Sequence, residues 1–308
     1  MQEQHSARQA SQDDAAAAHT STRCAGVAPL SAELPPSRRT VAVAAVLVSA
    51  NLLLFLSIAE DVLHGGGVIS HDQAVLAWFV EHRTDRLVTA AKLVSTIGSF
   101  VSLLIIAVLI GIWLWRRCSD VLLAAAPVVS LTLSSLASTT AKSLFGRERP
   151  PVSVHATTVT LAAFPSGHAT DAAGFFLAAS LTLTLTVARR RSVQALLIGT
   201  GLVFAALVGV SRLVLGVHWL SDVVAGWALG SAIAITVVMI LWHAAAGRRP
   251  RDRSPSDRGP GMANTSPSGG EGDAQNEHDI HRAERGRLVN EGGDRERHQQ
   301  DQTRPDRD

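Results

Sequence analysis

Val223–Trp242 reads VVAGWALGSAIAITVVMILW, twenty residues without a single charge. A helix of that length rises roughly 30 Å, which matches the hydrocarbon core of a bilayer. Five further stretches share the character: Val41–Ala59, Leu93–Trp115, Val121–Ala141, Ala172–Val187 and Val193–Val210. Lipid offers backbone N–H and C=O groups no partner, so runs of this length must bond internally as helices. The expected fold class is therefore all-α, a six-transmembrane-helix bundle rather than a soluble globule.

Working outward, the 308 residues are 47% hydrophobic and 18% charged, but the charge is unevenly spread. Residues 1–40 hold 4 arginines and 4 acids, residues 247–308 hold 12 and 13, and the long middle holds only 12 basic and 9 acidic groups. The polar ends, 1–39 and 247–308, lack any apolar period and are expected to be disordered cytoplasmic tails around a 40–246 membrane domain. No cleavable signal peptide is expected, because the first apolar run begins only after Arg38 and Arg39. Between the first two spans, Asp72–Val88 mixes Val75, Leu76, Phe79, Val80, Leu87 and Val88 with Asp72, Glu81, Arg83, Asp85 and Arg86. That pattern predicts an interfacial helix with Trp78 at headgroup depth.

Arginine clusters fall at Arg38-Arg39, Arg116-Arg117, Arg189-Arg190-Arg191 and Arg248-Arg249-Arg251. One, two, two and two spans precede or separate them, so all can occupy one side, and the positive-inside tendency makes that side cytoplasmic. The loops Glu60–Lys92, Lys142–Asp171 and Ser211–Asp222 then face outward from a cytoplasmic membrane. A net charge of +2 with no basic stripe argues against a nucleic-acid partner. Cys24 and Cys118 form neither a disulfide framework nor a CxxC motif and read as two thiols.

Ionisable residues at the ends of spans are functional candidates by default. Lys142 and Arg149-Pro150 stand seven positions apart at the end of the third span. Pro165-Ser166-Gly167-His168 lies at the mouth of the fourth, where a glycine admits close approach and a helix N-terminus receives an anion. Ser211-Arg212 and His218 precede the sixth, with Asp222 at i+4 from His218 on one helical face. Lys142, Arg149 and Arg212 can clamp phosphate oxygens, and phosphoryl transfer depends mostly on positioning and charge stabilisation.

Together these segments resemble the signatures of the type 2 phosphatidic acid phosphatase superfamily, K-x6-R-P, P-S-G-H and S-R-x5-H-x3-D. The resemblance covers about residues 41–246 and leaves the tails unexplained. It implies an integral membrane phosphatase that needs no metal or other cofactor. His218 would be the nucleophile that becomes a phosphohistidine, Asp222 would orient its ring, and His168 would protonate the leaving oxygen and then activate water. Lys142, Arg149, Ser166, Gly167 and Arg212 would bind the phosphate. Implied substrates are undecaprenyl diphosphate, phosphatidic acid and phosphatidylglycerol phosphate. An Ala- and Arg-rich chain with two lysines fits a high-GC bacterium, where a polyprenyl carrier is a natural substrate.

Other readings of the same residues exist. His168, His218 and Asp222 make a three-ligand zinc set on paper, opposed by three neighbouring cations. Soluble phosphate esters, haloperoxidase chemistry, and a non-catalytic transporter or lipid-binding protein are the functional alternatives. Arg147 and Glu148, outside the fixed motif positions, read as surface charges. Asp171 departs from the small or apolar residue expected there, and reads more readily as favouring the helix N-terminus than as bonding His168. His64, His71, His82 and His155 match nothing. Oligomeric state leaves no mark in the sequence.

Overall fold

The computed structural model describes residues 35–248 apart from positions 119 and 189. The expectations for 1–34 and 249–308, Cys24 included, lie outside the described residues. Among the described residues eight α-helices follow in order: α1 Arg38–His64, α2 Asp72–His82, α3 Asp85–Ile97, α4 Phe100–Cys118, α5 Val121–Phe145, α6 Gly167–Thr186, α7 Arg191–Val214 and α8 Leu220–Arg248. Short 3-10 turns stand at Gly67–His71 and Val152–Val154. Six of the helices, α1 and α4 to α8, are long and apolar enough to cross a membrane. The fold is all-α, a six-span bundle with no strand among the described residues.

Most spans run a few residues beyond the hydropathy bounds, α6 starting at Gly167 and α8 ending at Arg248, and two larger departures lie between the first two spans. The expected interfacial helix is broken into α2 and α3, because Arg83 is extended and the Thr84 side chain caps α3 by accepting from Leu87 N. The second span begins at Phe100 rather than Leu93, with Leu93–Ile97 belonging to α3. At Gly98 the chain presses on α7, where an added Cβ would meet both Val208 methyls at 2.6 Å. Ser99 restarts the helix, its carbonyl accepting from Leu103 N. Trp78 is 55% exposed and stacks on His82, as an interfacial aromatic should.

The bundle is built around α6, which packs on α5, α7 and above all α8. Small residues make that approach possible. An added Cβ at Gly226 of α8 would stand 2.8 Å from Ser166 O, and one at Gly230 would collide with Thr170 O. Helices in lipid gain little from apolar burial and associate through such close packing. Ser130 Oγ of α5 adds a hydrogen bond of 2.9 Å to Gly174 O of α6. Leu103, Leu131, Phe175 and Val208 fill the space between α4, α5, α6 and α7, while Ala126, Ala178, Ala234 and Val238 fill that between α5, α6 and α8. Peripheral α1 touches this centre chiefly through Ile58 and Ala59, against Phe164 and Ala225.

Candidate active site

Four helix ends converge on one cavity of about 290 Å³, lined among others by Lys142 of α5, Gly167, His168 and Asp171 of α6, Arg212 of α7, and the loop residues Arg149 and His218. Local sequence explains the convergence. Gly146 ends α5 in the left-handed region, φ 58°, and its N–H returns to Lys142 O. Gly216, φ 66°, turns the chain between α7 and α8 where a Cβ would lie 2.5 Å from Val154 O. Arg83 Nη1 donates to that same carbonyl at 2.8 Å, and Ala156 N donates to Leu215 O, so the α5–α6 loop is tied to the α7–α8 turn. Ser166 N donates to Asp222 O and Ala163 N to Arg147 O.

His218 is 2% exposed. Its Nδ1 faces Asp222 Oδ2 at 3.2 Å and its Nε2 faces Arg149 Nη1 at 3.1 Å. A guanidinium only donates, so Nε2 must offer its lone pair and Nδ1 carries the proton given to Asp222. Burial pushes the His218 pKa well below the ordinary imidazole range, and the Arg149, Lys142 and Arg212 cations push it the same way. The ring is therefore neutral, with a basic nitrogen turned to the cations that would hold an anion. Burial likewise lowers Arg149, opposed by Asp222, yet an arginine remains charged near neutral pH.

The phosphate-clamp residues are differently engaged. Arg149 donates through Nε to Leu161 O and through Nη1 to Val217 O, each at 2.6 Å. Arg212 is 5% exposed and donates through Nη1 to Ser95 Oγ, while its Nε has no hydrogen-bond partner. Ser166 is fully buried and its Oγ also has none. Lys142 lines the cavity, but its ammonium donates to three carbonyls, Ala162 at 2.8 Å, Ala163 at 3.3 Å and Pro165 at 2.5 Å. Besides supplying charge, it thus organises the segment that leads into Ser166.

All eight candidate residues come to one place, but two charges were misjudged from sequence. Arg147 is no surface charge: its side chain is 13% exposed and bridges two carboxylates, donating to Asp222 Oδ1 at 2.7 Å and to Asp72 Oδ2 at 2.8 Å. It also donates to Ser221 Oγ at 2.7 Å. Asp72, placed on an interfacial helix by hydropathy, is 2% exposed and accepts from Ser221 N and Oγ. The clue available in the sequence was an acid at the first position of a helix and an arginine within a motif, but their pairing spans 75 residues. Asp171 does more than favour a helix end: it lines the cavity, and its Oδ1 has no hydrogen-bond partner.

The remaining histidines behave as ordinary residues. His64, His82 and His155 each hydrogen-bond a nearby carbonyl, and His71 pairs with Ser70 Oγ. The zinc reading fits poorly, since both Asp222 oxygens are taken by Arg147, His218 and Trp219 N. Among the described residues no three His, Cys, Asp or Glu side chains are grouped to hold a metal ion.

Comparison with known proteins places this arrangement. The model of the PAP2 superfamily matches residues 123–246. A curated relative, phosphatidylglycerophosphatase B of Bacillus subtilis, is 30% identical over 190 residues, which is 58% of this chain and 88% of that protein. The crystal structure of a transmembrane PAP2-type phosphatidylglycerolphosphate phosphatase from Bacillus subtilis superposes with a TM-score of 0.58 at 25% identity, covering 62% of this chain and 93% of that one. A more distant likeness is to LpxE of Aquifex aeolicus, with TM-score 0.43 and 19% identity over 54% of this chain and 93% of that one.

Proposed function

The chain belongs to the PAP2 superfamily and is a metal-independent membrane phosphatase, and from that premise we propose that it hydrolyses a lipid phosphate or diphosphate through a phosphohistidine on His218, at the extracytoplasmic face. The carrying observation is the tautomer. A neutral His218 turns the Nε2 lone pair toward Arg149 in a cavity lined by Arg212, whose Nε has no hydrogen-bond partner; Ser166 Oγ, next to the lining Gly167, has none either.

A phosphoryl group there would receive hydrogen bonds from Arg149, Arg212, Ser166 Oγ and the N–H groups that open α6, with Lys142 adding charge. Nε2 attacks phosphorus as the P–O bond to the lipid breaks, and the leaving oxygen takes its electron pair and a proton from His168. The Nδ1 proton stays shared with Asp222, whose charge stabilises the imidazolium-like ring as the N–P bond forms. His168, now unprotonated, removes a proton from water, which attacks phosphorus and restores Nε2 with release of inorganic phosphate. A lipid substrate suits a site set among spanning helices, because its chains can stay in the bilayer while the head reaches the cavity. The name of the Bacillus relative ranks phosphatidylglycerophosphate first among candidates, ahead of phosphatidic acid and undecaprenyl diphosphate.

Helix direction supports this sidedness. The α5 and α7 C-terminal ends and the α6 and α8 N-terminal ends meet at the cavity. Arg190, Arg191 and Arg248 stand at the opposite ends of α7 and α8, which supports a cytoplasmic placement for them and for both termini of a phosphatase domain spanning 40–246.

The test is phosphate release in detergent micelles with excess chelator from each of the three lipids and from a soluble sugar phosphate, for wild type and His218→Ala. Acid-labile, base-stable radiolabel on wild type but not on the variant identifies the phosphoramidate. Release from the soluble ester alone would overturn the lipid reading; release without labelling would overturn the intermediate.

A further inference from the structure

Asp222 has two oxygens, and the reaction uses one. Oδ2 accepts from Trp219 N at 3.0 Å and faces His218 Nδ1 at 3.2 Å. Oδ1 accepts from Arg147 Nη1 at 2.7 Å, and Asp222 itself is fully buried. The same guanidinium reaches through Nη2 to Asp72 at 2.8 Å. Asp72 opens α2, which lies outside the segment matched by the superfamily model. Its Oδ1 accepts from Ser221 N at 2.9 Å and its Oδ2 from Ser221 Oγ at 2.5 Å, so it also holds the first turn of α8, one residue before Asp222. Arg147 further lies over the Trp219 ring, 5.8 Å from its centroid.

We propose that Arg147, anchored by Asp72, is a positioning residue for the phosphatase reaction, fixing the Asp222 carboxylate so that its other oxygen holds the His218 ring with Nε2 aimed at phosphorus. The proposal rests on the phosphatase reading above. Three physical points carry it. A buried carboxylate with one free oxygen can rotate about its Cβ–Cγ bond, and the single bond from Arg147 Nη1 to Oδ1, with Nη2 held by Asp72, removes that freedom. A buried aspartate pays heavily for desolvation unless it is paired, so Arg147 keeps Asp222 charged beside the ring. Asp72 in turn prevents Arg147 from swinging into the cation cluster of Lys142, Arg149 and Arg212, because one face of its fork is already taken. The connected order Asp72, Arg147, Asp222, His218 makes the nucleophile depend on a helix that contributes no atom to the cavity.

The expected consequences differ from those of losing stability. Misplacement of a reacting group by about 1 Å can lower rate roughly a hundredfold without weakening substrate binding. Arg147→Met should therefore lower kcat between about tenfold and a hundredfold with KM within about twofold, and Arg147→Lys should recover part of the loss. Without its Arg147 partner the buried Asp222 carboxylate takes up a proton more readily, and a neutral Asp222 no longer supports the His218 ring. The acid limb of kcat/KM, which requires a charged Asp222 beside a neutral His218 among Lys142, Arg149, Arg212 and His168, should therefore move to higher pH. Asp72→Asn, which keeps the shape of α2 and can still accept from Ser221 N through its one carbonyl oxygen, should give the same signature at smaller size, and should add little in an Arg147→Met background because the two act in series.

The experiment measures kcat, KM and the pH profile with phosphatidylglycerophosphate and phosphatidic acid micelles for the five proteins, with thermal unfolding in the same detergent. Wild type inactive on both lipids would mean failure of the function reading itself. With wild type active, the inference is overturned if the limb stays in place and the Lys variant is no better than Met. It is overturned equally if folded Arg147→Met retains wild-type kcat, or if kcat falls only in proportion to unfolded protein. A variant of Arg147 too unstable to assay leaves Asp72→Asn as the deciding protein, with the same limb and the same kcat to read.

Discussion

Helices α6 and α1 are both long enough to span a bilayer, yet two-thirds of the best apolar window of α6 is buried in protein while only 6% of that of α1 is. The more apolar of the two is the outer one: mean hydropathy is 2.5 for α1 and 1.2 for α6. Their sequences show why. α1 presents large residues such as Val46, Leu53 and Leu56 outward, all more than half exposed in the protein, as a surface meant for lipid requires. α6 carries Ala169, Ala172, Ala173, Gly174 and Ala178, which let α8 and α5 approach, and it opens on Ser166, Gly167 and His168. Between these two helices hydropathy runs opposite to burial: the less apolar one is the more tightly packed and opens on the cavity.

The comparison can be broken most directly at the central helices. His218→Ala, in the turn that leads into α8, should reduce phosphate release by at least about a thousandfold, roughly 4 kcal/mol of transition-state stabilisation, as read from kcat/KM in micelles. Gly230→Val should destabilise the bundle by about 3 kcal/mol, since its Cβ has no room against Thr170 O; a melting curve in detergent checks it. An unchanged melting temperature would mean that the α6–α8 contact is not the centre of the fold.

Electrostatics sharpen the contrast further. His218 is neutral because burial and the Arg149, Lys142 and Arg212 cations depress its pKa, so the acid limb of kcat/KM in wild type should lie below the ordinary imidazole range. Arg149→Ala removes one cation, favours the imidazolium and should move that limb to higher pH, besides weakening phosphate binding. A limb that moved to lower pH would contradict the assigned charge. At the periphery, Leu53→Ala on α1 should change melting by less than about 0.5 kcal/mol, because that side chain meets lipid in either case.

How much could be read beforehand varies with how local the cause is. The spans were legible since length and lack of charge act within one helix, and the site residues since their spacing is tied to helix ends. Even so, hydropathy ran the second span back to Leu93, where only contact between Gly98 and Val208 of α7 ends one helix and starts another. Lys142 was recognisable as a cation of the site, whereas its three bonds to Ala162, Ala163 and Pro165 carbonyls depend on how a loop twenty residues on folds back.

By itself, then, the sequence determined the six spans and the arginine asymmetry of their ends, which follow from composition along one helix at a time, and it named the candidate residues that meet at the cavity through the motif spacings that carry the family resemblance. Tertiary structure alone decided that Arg147 is held between Asp72 and Asp222, that His218 carries its proton on Nδ1, and that Asp171 faces the cavity. Those outcomes require residues up to 75 positions apart to meet, and the energy of a charge is set by its neighbours in space, which spacing along the chain does not specify.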